Sequence, residues 1–386
     1  MNKRILIYAT AYLPLVGGAE VAVKEITDRL AGYDFDLITA LMDKKLARAE
    51  KIGRVNVYRL GCGWPKFDKL YLALFGHYKG WQLHRQKKYD LVWAIMASFG
   101  GFAALSFKLK TKIPYLLTLQ EGDPIEEILN KVKLVRGRFN EIFIASDALQ
   151  PISSYLAAWG EKMGFAGKIS EVIPNGVDVG LFTKEYFKEE IGALRRSFGF
   201  PADSVIAVTS SRLVIKNGVG DVIKALKNLP ADFCFYICGS GPLENKLKQL
   251  TEDLHLEQRV KFGGYKSHDE LPKILKAGDI FIRPSLSEGL GNSFLEAMAA
   301  GLPTIGTLVG GIPDFLIEGQ TGLVCQPGDS QSIGETILRA SRLSVEEKKR
   351  LHRNALILVK EKYNWDCVVA RLDLLFNRLL NSKNNL

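Results

Sequence analysis

The chain has 386 residues, a formal net charge of +10, 47% hydrophobic residues and 24% charged residues. These proportions are ordinary for a globular protein, and they exclude both a disordered chain and a bundle of membrane-spanning helices. The length predicts two or three domains rather than one. The five cysteines are scattered with no CxxC pair, so we expect free thiols in a reducing compartment, which is the cytoplasm.

The first half of the chain alternates short apolar runs with helical patterns. The opening run has the look of a secretory signal, but Pro14 and the glycine pair after it interrupt the run, so we interpret it as a first strand and its loop. Alternation of this kind is typical of a mostly parallel sheet covered by helices on both faces. Strands are predicted at residues 3–9, 35–41, 55–61, 90–96, 114–120, 148–153 and 169–174.

Residues 61–113 of this half combine basic and aromatic side chains. Such a segment can lie on an anionic membrane, where each basic residue contributes about 1 kcal/mol. It can equally be an amphipathic crossover helix with a solvated basic face, and both interpretations stay open here. Nucleic acid is not an expected partner, because no recognised binding module accompanies the charge. The basic residues are Lys66, Lys69, Lys79, Arg85, Lys87, Lys88, Lys108, Lys110 and Lys112, and the aromatic residues are Trp64, Phe67, Tyr71, Phe75, Tyr78 and Trp81.

A turn-like NGVD at residues 175–178, followed by a polar stretch, separates a second alternating series from the first. Two doubly wound α/β domains in tandem imply a cleft between them, and such clefts commonly bind substrates. The strands of the second series are predicted at residues 205–210, 232–238, 260–262, 279–283, 304–306 and 323–325.

The stretch from Pro284 to Pro303 reads PSLSEGLGNSFLEAMAAGLP. It predicts a strand end, a loop rich in glycine and serine, and a helix that begins near residue 292. Ligands of open parallel sheets lie beyond the carboxyl ends of the strands, which is where this loop falls. Because helix N-termini present unpaired N–H groups and a positive dipole end, we expect an anion site here. Its donors would be the amides of Gly291, Asn292 and Ser293.

Charged side chains accompany this predicted anion site. Glu288 lies in the loop and Glu296 on the first helical turn, although Ser293 and Glu296 also fit an S-x-x-E capping box, which needs no ligand. After the first strand of the second series, Arg212 and Lys216 are placed to clamp a diphosphate, one through paired hydrogen bonds and one as a point charge. Two solvated surface cations are the alternative explanation.

Several catalytic motifs are absent from the sequence. The first strand is followed by TAYLPLVGGAE, which lacks the GxGxxG dinucleotide fingerprint, and there is no Walker loop. The pair Gly17 and Gly18 instead lets backbone approach a phosphate or sugar closely, although a plain helix-start turn explains it equally well. No histidine lies beside a nucleophile motif, and no convincing set of metal ligands is present, so we expect neither a metal nor a cofactor.

Together these pieces resemble the retaining glycosyltransferases of GT-B fold, specifically family 4, also called glycosyl transferases group 1. Glu288 and Glu296 have the ExxxxxxxE spacing of that family's donor signature, and GGIPD at residues 310–314 follows at the usual place. The motifs PNGVD, SRL, GSGPL and VKFGGY extend the resemblance over nearly the whole second domain, and GGAE extends it to the first.

The resemblance implies an α/β fold in which two doubly wound, Rossmann-like domains face each other across a cleft. Residues 1–180 would form the acceptor-side domain, and a C-terminal helix within residues 364–386 would cross back to it. Residues 181–363 would bind the nucleotide-sugar donor.

The resemblance also implies roles for single residues. Arg212 and Lys216 would hold the donor diphosphate, Glu296 the ribose hydroxyls and Glu288 a hydroxyl of the transferred sugar. The other donor-side residues would be Gly17, Gly18, Gly239, Gly264, Leu290, Gly291, Asn292 and Ser293.

Two places depart from the family pattern. Many members have lysine directly before the glycine of the phosphate clamp, whereas Asn217 stands there in this chain and Lys216 precedes it. The histidine that many members carry after the fifth strand of the first domain is replaced within LTLQEGDP. In that segment Gln120, Glu121 and Asp123 are candidates for positioning the acceptor or the sugar.

We therefore predict a cytoplasmic retaining glycosyltransferase that moves a sugar from a nucleoside diphosphate sugar to an acceptor hydroxyl, with no metal and no protein nucleophile. The acceptor is predicted to be a sugar or glycolipid in the synthesis of polysaccharide, glycolipid or lipid-linked saccharide. Residues 61–113 would contact the anionic inner face of the cell membrane. The alternatives are a catalytically lapsed nucleotide-sugar-binding protein and a nucleotide-sugar epimerase of the same fold.

Overall fold

A computed structural model describes residues 2–382 of the chain. The chain divides into two compact units. The first unit contains the residues up to Gly176 together with those from Trp365 onward, and the second spans Val177–Asn364. Each unit is built on its own β-sheet.

The sheet of the first unit has eight strands in the order β3-β4-β2-β1-β5-β6-β7-β8. Neighbouring strands are parallel except β3, which pairs antiparallel with β4 at the edge. The sequence pattern does not predict β3, because its AEKI sequence is short and polar, as an exposed edge strand can be. The strands are β1 Lys3–Tyr8, β2 Tyr33–Ala40, β3 Ala49–Ile52, β4 Val55–Leu60, β5 Leu91–Ile95, β6 Tyr115–Leu119, β7 Ala148–Pro151 and β8 Ile169–Ser170.

The helices of the first unit connect these strands. The longest of them, α2, joins the β4 edge of the sheet to the central strand β5 and packs along α3. These helices are α1 Gly18–Arg29, α2 Pro65–Lys87, α3 Phe99–Thr111, α4 Ile125–Lys131, α5 Arg136–Ile144 and α6 Ser154–Lys162.

The sheet of the second unit has six parallel strands in the order β11-β10-β9-β12-β13-β14. This is the strand order of a dinucleotide-binding Rossmann fold, and its direction of winding reverses between β9 and β12. The strands are β9 Val205–Ser210, β10 Phe233–Cys238, β11 Val260–Gly264, β12 Ile280–Ile282, β13 Thr304–Gly306 and β14 Leu323–Val324.

The helices of the second unit follow the predicted alternation. Residues of α9 and α13 join the inward side chains of the strands in one continuous core. These helices are α7 Val179–Phe182, α8 Lys188–Ser197, α9 Val219–Leu226, α10 Glu244–Asp253, α11 Leu271–Ala277, α12 Asn292–Ala300, α13 Ser330–Ser341 and α14 Val345–Lys362.

The last helix, α15 at Trp365–Ser382, packs on the first unit, as the sequence predicts. Its Phe376 ring is fully buried and meets the Trp93 ring edge-on at 5.3 Å and the Tyr33 ring at 5.5 Å. The Tyr33 hydroxyl donates to Asp373 Oδ1 at 2.6 Å. The core of the first unit is therefore completed by the end of the chain, and the final residues of the predicted 364–386 segment, 383–386, lie outside the described residues.

Candidate functional site

The loops after β9 and β12 meet at the point where the second sheet reverses its winding. The two strands are neighbours, with Val208 opposite Phe281. Beyond their ends, the backbone N–H of Leu286 donates to the carbonyl oxygen of Lys216 at 2.6 Å. Such switch points are where open α/β sheets bind ligands. The structure therefore brings the Arg212–Lys216 loop against the loop that carries Glu288.

Gly218 makes this close approach of the two loops sterically feasible. Its φ of +68° is in the left-handed region, and a Cβ there would lie 2.1 Å from the carbonyl oxygen of Pro284. Only glycine adopts such a conformation at low cost and leaves that space open. Close packing against Pro284 therefore favours glycine at position 218, directly after the predicted phosphate clamp.

A third loop, after β10, joins the same group. The N–H of Gly239 donates to the carbonyl of Gly264 at 2.8 Å. A Cβ on Gly239, which has a φ of +142°, would lie 1.8 Å from the carbonyl oxygen of Ser211. The two glycines proposed from the sequence as donor-side residues therefore connect the carboxyl ends of β9, β10 and β11.

The start of α12 differs from the capping-box alternative. Its N-cap is Gly291, with a φ of +99° and no side-chain cap, and Ser293 lies inside the helix. The hydroxyl of Ser293 instead accepts a hydrogen bond from Arg283 Nη1 at 2.8 Å. The capping-box explanation of Glu296 is therefore wrong. Within the described residues the start of α12 has no side-chain cap, and its first turn is closed by the Phe294 N–H, which donates to the Gly291 carbonyl oxygen at 3.0 Å.

The two signature glutamates lie on either side of a buried arginine. Glu288 forms an ion pair with Arg283, and both side chains are almost fully buried. Glu296 Oε1 lies 3.9 Å from His268 Nδ1. Burial raises the pKa of Glu296, while His268 and Arg283 oppose that shift. Burial lowers the pKa of Arg283 to about 10, and attraction to Glu296 opposes the shift. Arg283 is thus cationic at neutral pH beside two carboxylates.

The two cations of the predicted diphosphate clamp lie on the loop after β9. The Arg212 side chain is exposed, and Lys216 is half-buried in a single turn of 3-10 helix. Asn217, which stands where many family members have lysine, is only 3% exposed. Its Nδ2 donates to the carbonyl oxygen of Arg212 at 2.6 Å, so it braces the loop from within. Asn217 therefore faces inward, and Lys216 is the cationic residue of this turn.

The candidate residues of the first unit lie on two loops. Gly17 is the extended N-cap of α1, and a Cβ on it would approach a Glu20 carboxylate oxygen to 2.5 Å. A Cβ on Gly18 would meet nothing within 4 Å. Gln120 Oε1 accepts a hydrogen bond from Asn175 Nδ2 at 3.1 Å. The structure thus links Gln120 to the NGVD turn, whereas nothing comparable constrains Gly18.

Glu121 and Asp123 have opposite environments although they are neighbours. Glu121 is 4% exposed and its Oε1 accepts the N–H of Ala97, which follows β5, at 2.6 Å. Burial raises the pKa of Glu121 to about 7, opposed mainly by that hydrogen bond. Its Oε2 is buried without a partner among residues 2–382. Asp123 is exposed and lies 3.8 Å from Lys131 Nζ. Glu121 therefore links the loops that follow β5 and β6. Asp123 has the more accessible of the two carboxyl groups.

Sequence reasoning missed Arg283 and His268. Arg283 follows an apolar strand and precedes a proline, and a charge directly at the end of a buried strand was the signal available. Within the described range, no group of three or more His, Cys, Asp or Glu side chains is arranged to hold a metal ion. None of the helices between residues 2 and 382 combines the length and apolar character needed to cross a membrane.

Known proteins resemble this chain in both sequence and fold. N-acetyl-alpha-D-glucosaminyl L-malate synthase of Bacillus anthracis is 29% identical over 246 residues, which are 62% of each chain. A GDP-mannose-dependent monoacylated alpha-(1-6)-phosphatidylinositol monomannoside mannosyltransferase of Corynebacterium glutamicum is 26% identical over 96% of this chain and 97% of its own. The first curated relatives are matched over 62%, 57% and 59% of their own lengths.

Among solved structures, Anabaena HepE in complex with UDP and glucose superposes with a TM-score of 0.79 at 19% identity, covering 98% of this chain and 100% of that one. This similarity establishes the fold. The two parallel-sheet units have the Rossmann-like architecture of the GT-B fold, so the predicted fold class is confirmed.

Two family models match successive parts of the chain. The model described as Glycosyltransferase Family 4 matches residues 16–181, and the one described as Glycosyl transferases group 1 matches residues 190–356. The second match contains the β9, β10, β11 and β12 loops that meet at the switch point. The chain therefore belongs to the glycosyl transferases group 1, and its amino-terminal half matches glycosyltransferase family 4.

Proposed function

We propose that this chain is a retaining glycosyltransferase that transfers a sugar from a nucleoside diphosphate sugar to an acceptor hydroxyl. The observation that carries the proposal is the junction of the Lys216 and Glu288 loops at the switch point of the second sheet. The junction supports the proposal because it joins the loop of Arg212 and Lys216 to the loop before α12, and a diphosphate attached to a sugar suits cations beside a helix N-terminus. Family membership and the UDP and glucose bound by Anabaena HepE support this choice of ligand.

The proposed roles follow the family pattern. Arg212 and Lys216 stabilise the charge that develops on the departing diphosphate, together with the amides from Leu290 to Ser293. Glu296 accepts hydrogen bonds from ribose hydroxyls, and Glu288 accepts one from the transferred sugar. The diphosphate oxygen itself receives the proton of the acceptor hydroxyl on the face from which it leaves, so the protein needs no nucleophile and no metal.

The first unit is proposed to bind the acceptor, a sugar or glycolipid. Gln120, Glu121 and Asp123, on the loop after β6, are its proposed positioning residues. Gly17 and Gly18, at the start of α1, keep the donor-side role that the family resemblance implies. Names of relatives include a synthase and a mannosyltransferase, and these do not favour a catalytically lapsed protein or an epimerase.

A direct assay tests this function. The purified chain is screened by thermal shift with UDP, GDP and ADP sugars, and the donor that raises the melting temperature is incubated with candidate acceptors in the presence of a metal chelator. We expect nucleotide release together with a glycoside that keeps the anomeric configuration of the donor. Conversion of the donor without an acceptor would identify an epimerase instead, and binding without turnover would identify a lapsed enzyme.

Peripheral membrane contact is proposed for α2, consistent with a cytoplasmic enzyme that acts on a lipid-linked acceptor. The face of α2 that packs inward is narrow: a Cβ on Gly76 would lie 2.9 Å from the Ala103 methyl group, and one on Gly80 1.9 Å from the Tyr8 hydroxyl oxygen. The aromatic face is therefore turned outward. Its exposed large side chains, 37% to 64% accessible, are Trp64, Phe67, Leu70, Tyr71, Leu74, Phe75, Tyr78 and Trp81.

This outward face carries the chemistry of an interfacial helix. Lys110 Nζ lies 4.3 Å from the Trp81 ring centroid, and Arg85 lies over the same ring at 5.1 Å. Aromatic side chains bordered by cations suit the headgroup region of an anionic bilayer. If α2 were only an amphipathic crossover helix with a solvated basic face, the exposure of so many apolar side chains would have no explanation.

Vesicle flotation tests the membrane proposal. We expect the chain to float with phosphatidylglycerol-containing vesicles at low salt, and binding to fall in the double variant Phe75→Ser with Trp81→Ser. Ile357→Ser, which removes a comparably exposed side chain from α14, is the matched control and should bind as the wild type does. Equal binding of all three proteins, or binding of none, would contradict the proposal.

A further inference from the structure

Arg283 lies directly after β12 and is 9% exposed. Its guanidinium has partners on three sides. Nη1 donates to the Ser293 hydroxyl at 2.8 Å, Nη2 pairs with the Glu288 carboxylate, and the group lies 5.4 Å from the centroid of the Phe294 ring. One buried cation therefore connects the end of a strand, the loop after it and the first turn of α12.

This arrangement fixes the position of Glu288. A planar guanidinium holds a carboxylate in a defined orientation, which a flexible ammonium group does not. The rest of the loop supports the same placement, because the Glu288 carbonyl oxygen accepts the N–H of Gly311 at 3.2 Å and a Cβ on Gly310 would lie 1.8 Å from that oxygen. The backbone and the side chain of Glu288 are thus both held. Arg283 pairs with one carboxylate oxygen, and the other, Oε1, accepts the N–H of Gly289 at 3.1 Å.

We propose that Arg283 is a positioning residue for the transferred sugar, acting through Glu288 and Ser293 rather than by touching the donor. This inference rests on the proposed function, because it assigns to Arg283 the placement of the carboxylate that meets the sugar.

The test compares each sugar nucleotide with its parent diphosphate. Binding of UDP and UDP-glucose, GDP and GDP-mannose, and ADP and ADP-glucose is measured for the wild type and for Arg283→Met. We expect the variant to bind the diphosphate of the recognised pair as the wild type does but to lose its preference for the sugar nucleotide. With that donor, kcat should fall by about 100-fold, as expected when a contact group is misplaced by about 1 Å.

Three further variants separate positioning from general stability. Arg283→Lys should have a higher kcat than Arg283→Met, because lysine keeps the positive charge but lacks the planar, paired N–H groups of the guanidinium. Arg283→Met combined with Glu288→Gln should recover the melting temperature of the wild type but not its activity. Arg195→Met is the matched control, because Arg195 pairs with Asp279 at the opposite end of β12. It should lower the melting temperature and leave the preference for the sugar nucleotide unchanged.

The outcomes distinguish this inference from the function on which it rests. If the wild type prefers a sugar nucleotide and Arg283→Met keeps that preference and its kcat, the positioning role is overturned while the proposed function stands. If the wild type binds no member of the panel, the proposed function fails and the role of Arg283 fails with it.

Discussion

The backbone N–H of Leu286 donates to the carbonyl oxygen of Lys216 at 2.6 Å, which joins the loop after β12 to the loop after β9. These loops belong to strands that are neighbours in the sheet but about seventy residues apart in the sequence. The diphosphate clamp and the glutamate signature are thereby parts of a single candidate site within the second unit.

Loss of Lys216 or Glu296 should abolish most of the activity without unfolding the protein. Removing one preorganised group that stabilises a transition state costs about 3 kcal/mol, which is two to three powers of ten in rate. We expect Lys216→Ala and Glu296→Ala each to show such a loss in kcat/KM, with circular dichroism spectra like that of the wild type. Lys224→Ala, which removes an exposed lysine of α9, should keep full activity. Wild-type turnover in either site variant would refute the role of that residue.

Substitution of Gly218 should be far more damaging than substitution of its near neighbour Gly220. Gly218→Ala introduces a Cβ 2.1 Å from the Pro284 carbonyl oxygen at a positive φ, whereas a Cβ on Gly220 meets its nearest neighbour at 3.5 Å. We expect Gly218→Ala to lower the free energy of unfolding by more than about 1 kcal/mol and to separate the two loops. Gly220→Ala, inside α9, should raise it by up to about 1 kcal/mol. Thermal unfolding of both variants is the measurement, and equal effects would be inconsistent with the tight junction.

The ionisation of Glu121 should make the first unit less stable as the pH rises. Its pKa is raised from 4.5 to about 7 in the folded chain, so between these values the unfolded chain loses the proton while the folded chain keeps it. The resulting loss of stability is complete above about pH 7 and amounts to about 3 kcal/mol at most. Glu121→Gln mimics the protonated form at every pH.

The melting temperature of Glu121→Gln should therefore exceed that of the wild type at pH 8 and approach it near pH 4.5. Asp123→Asn, which changes an exposed carboxylate on the same loop, should show no such pH-dependent difference. A gain from Glu121→Gln that is the same at both pH values would mean that the carboxyl group does not titrate in this range.

The end of the chain should contribute strongly to the stability of the first unit. Phe376→Ala removes a fully buried ring that contacts Trp93 and Tyr33, and such truncations cost about 3–5 kcal/mol. Leu374→Ala, on the exposed side of the same helix, should change the melting temperature little. If the two variants melted at the same temperature, α15 would not be part of the core.

Much of the fold could be predicted because its signals are local. The apolar run before Pro284, the glycine-rich loop and the alanine-rich helix after it give the strand, loop and helix of the donor signature. In contrast, the AEKI strand at the edge of the first sheet has no apolar pattern, since an exposed edge strand needs none. The roles of the site residues were carried by the family resemblance rather than by spacing, and they remain predictions.

Features that depend on distant contacts could not be predicted. The periodicity of α2 shows an aromatic face, and such a face is normally the one that packs inward. Here Gly76 and Gly80 form the inward face instead, because the helix approaches Tyr8 and Ala103 too closely for larger residues. Arg283 was missed for a similar reason. Its position at the end of a buried strand can be read from the sequence, but its partners Glu288 and Ser293 are known only from the folded loop.

Retaining sugar transfer from a nucleoside diphosphate sugar can be read from the stereochemistry of the product. The chain is incubated with the α-linked sugar nucleotide that it binds and with an acceptor, and the anomeric proton of the glycoside is followed by NMR from the first turnovers. We expect an α-glycoside formed in step with release of the nucleoside diphosphate. A β-glycoside, or a donor altered without transfer, would contradict it.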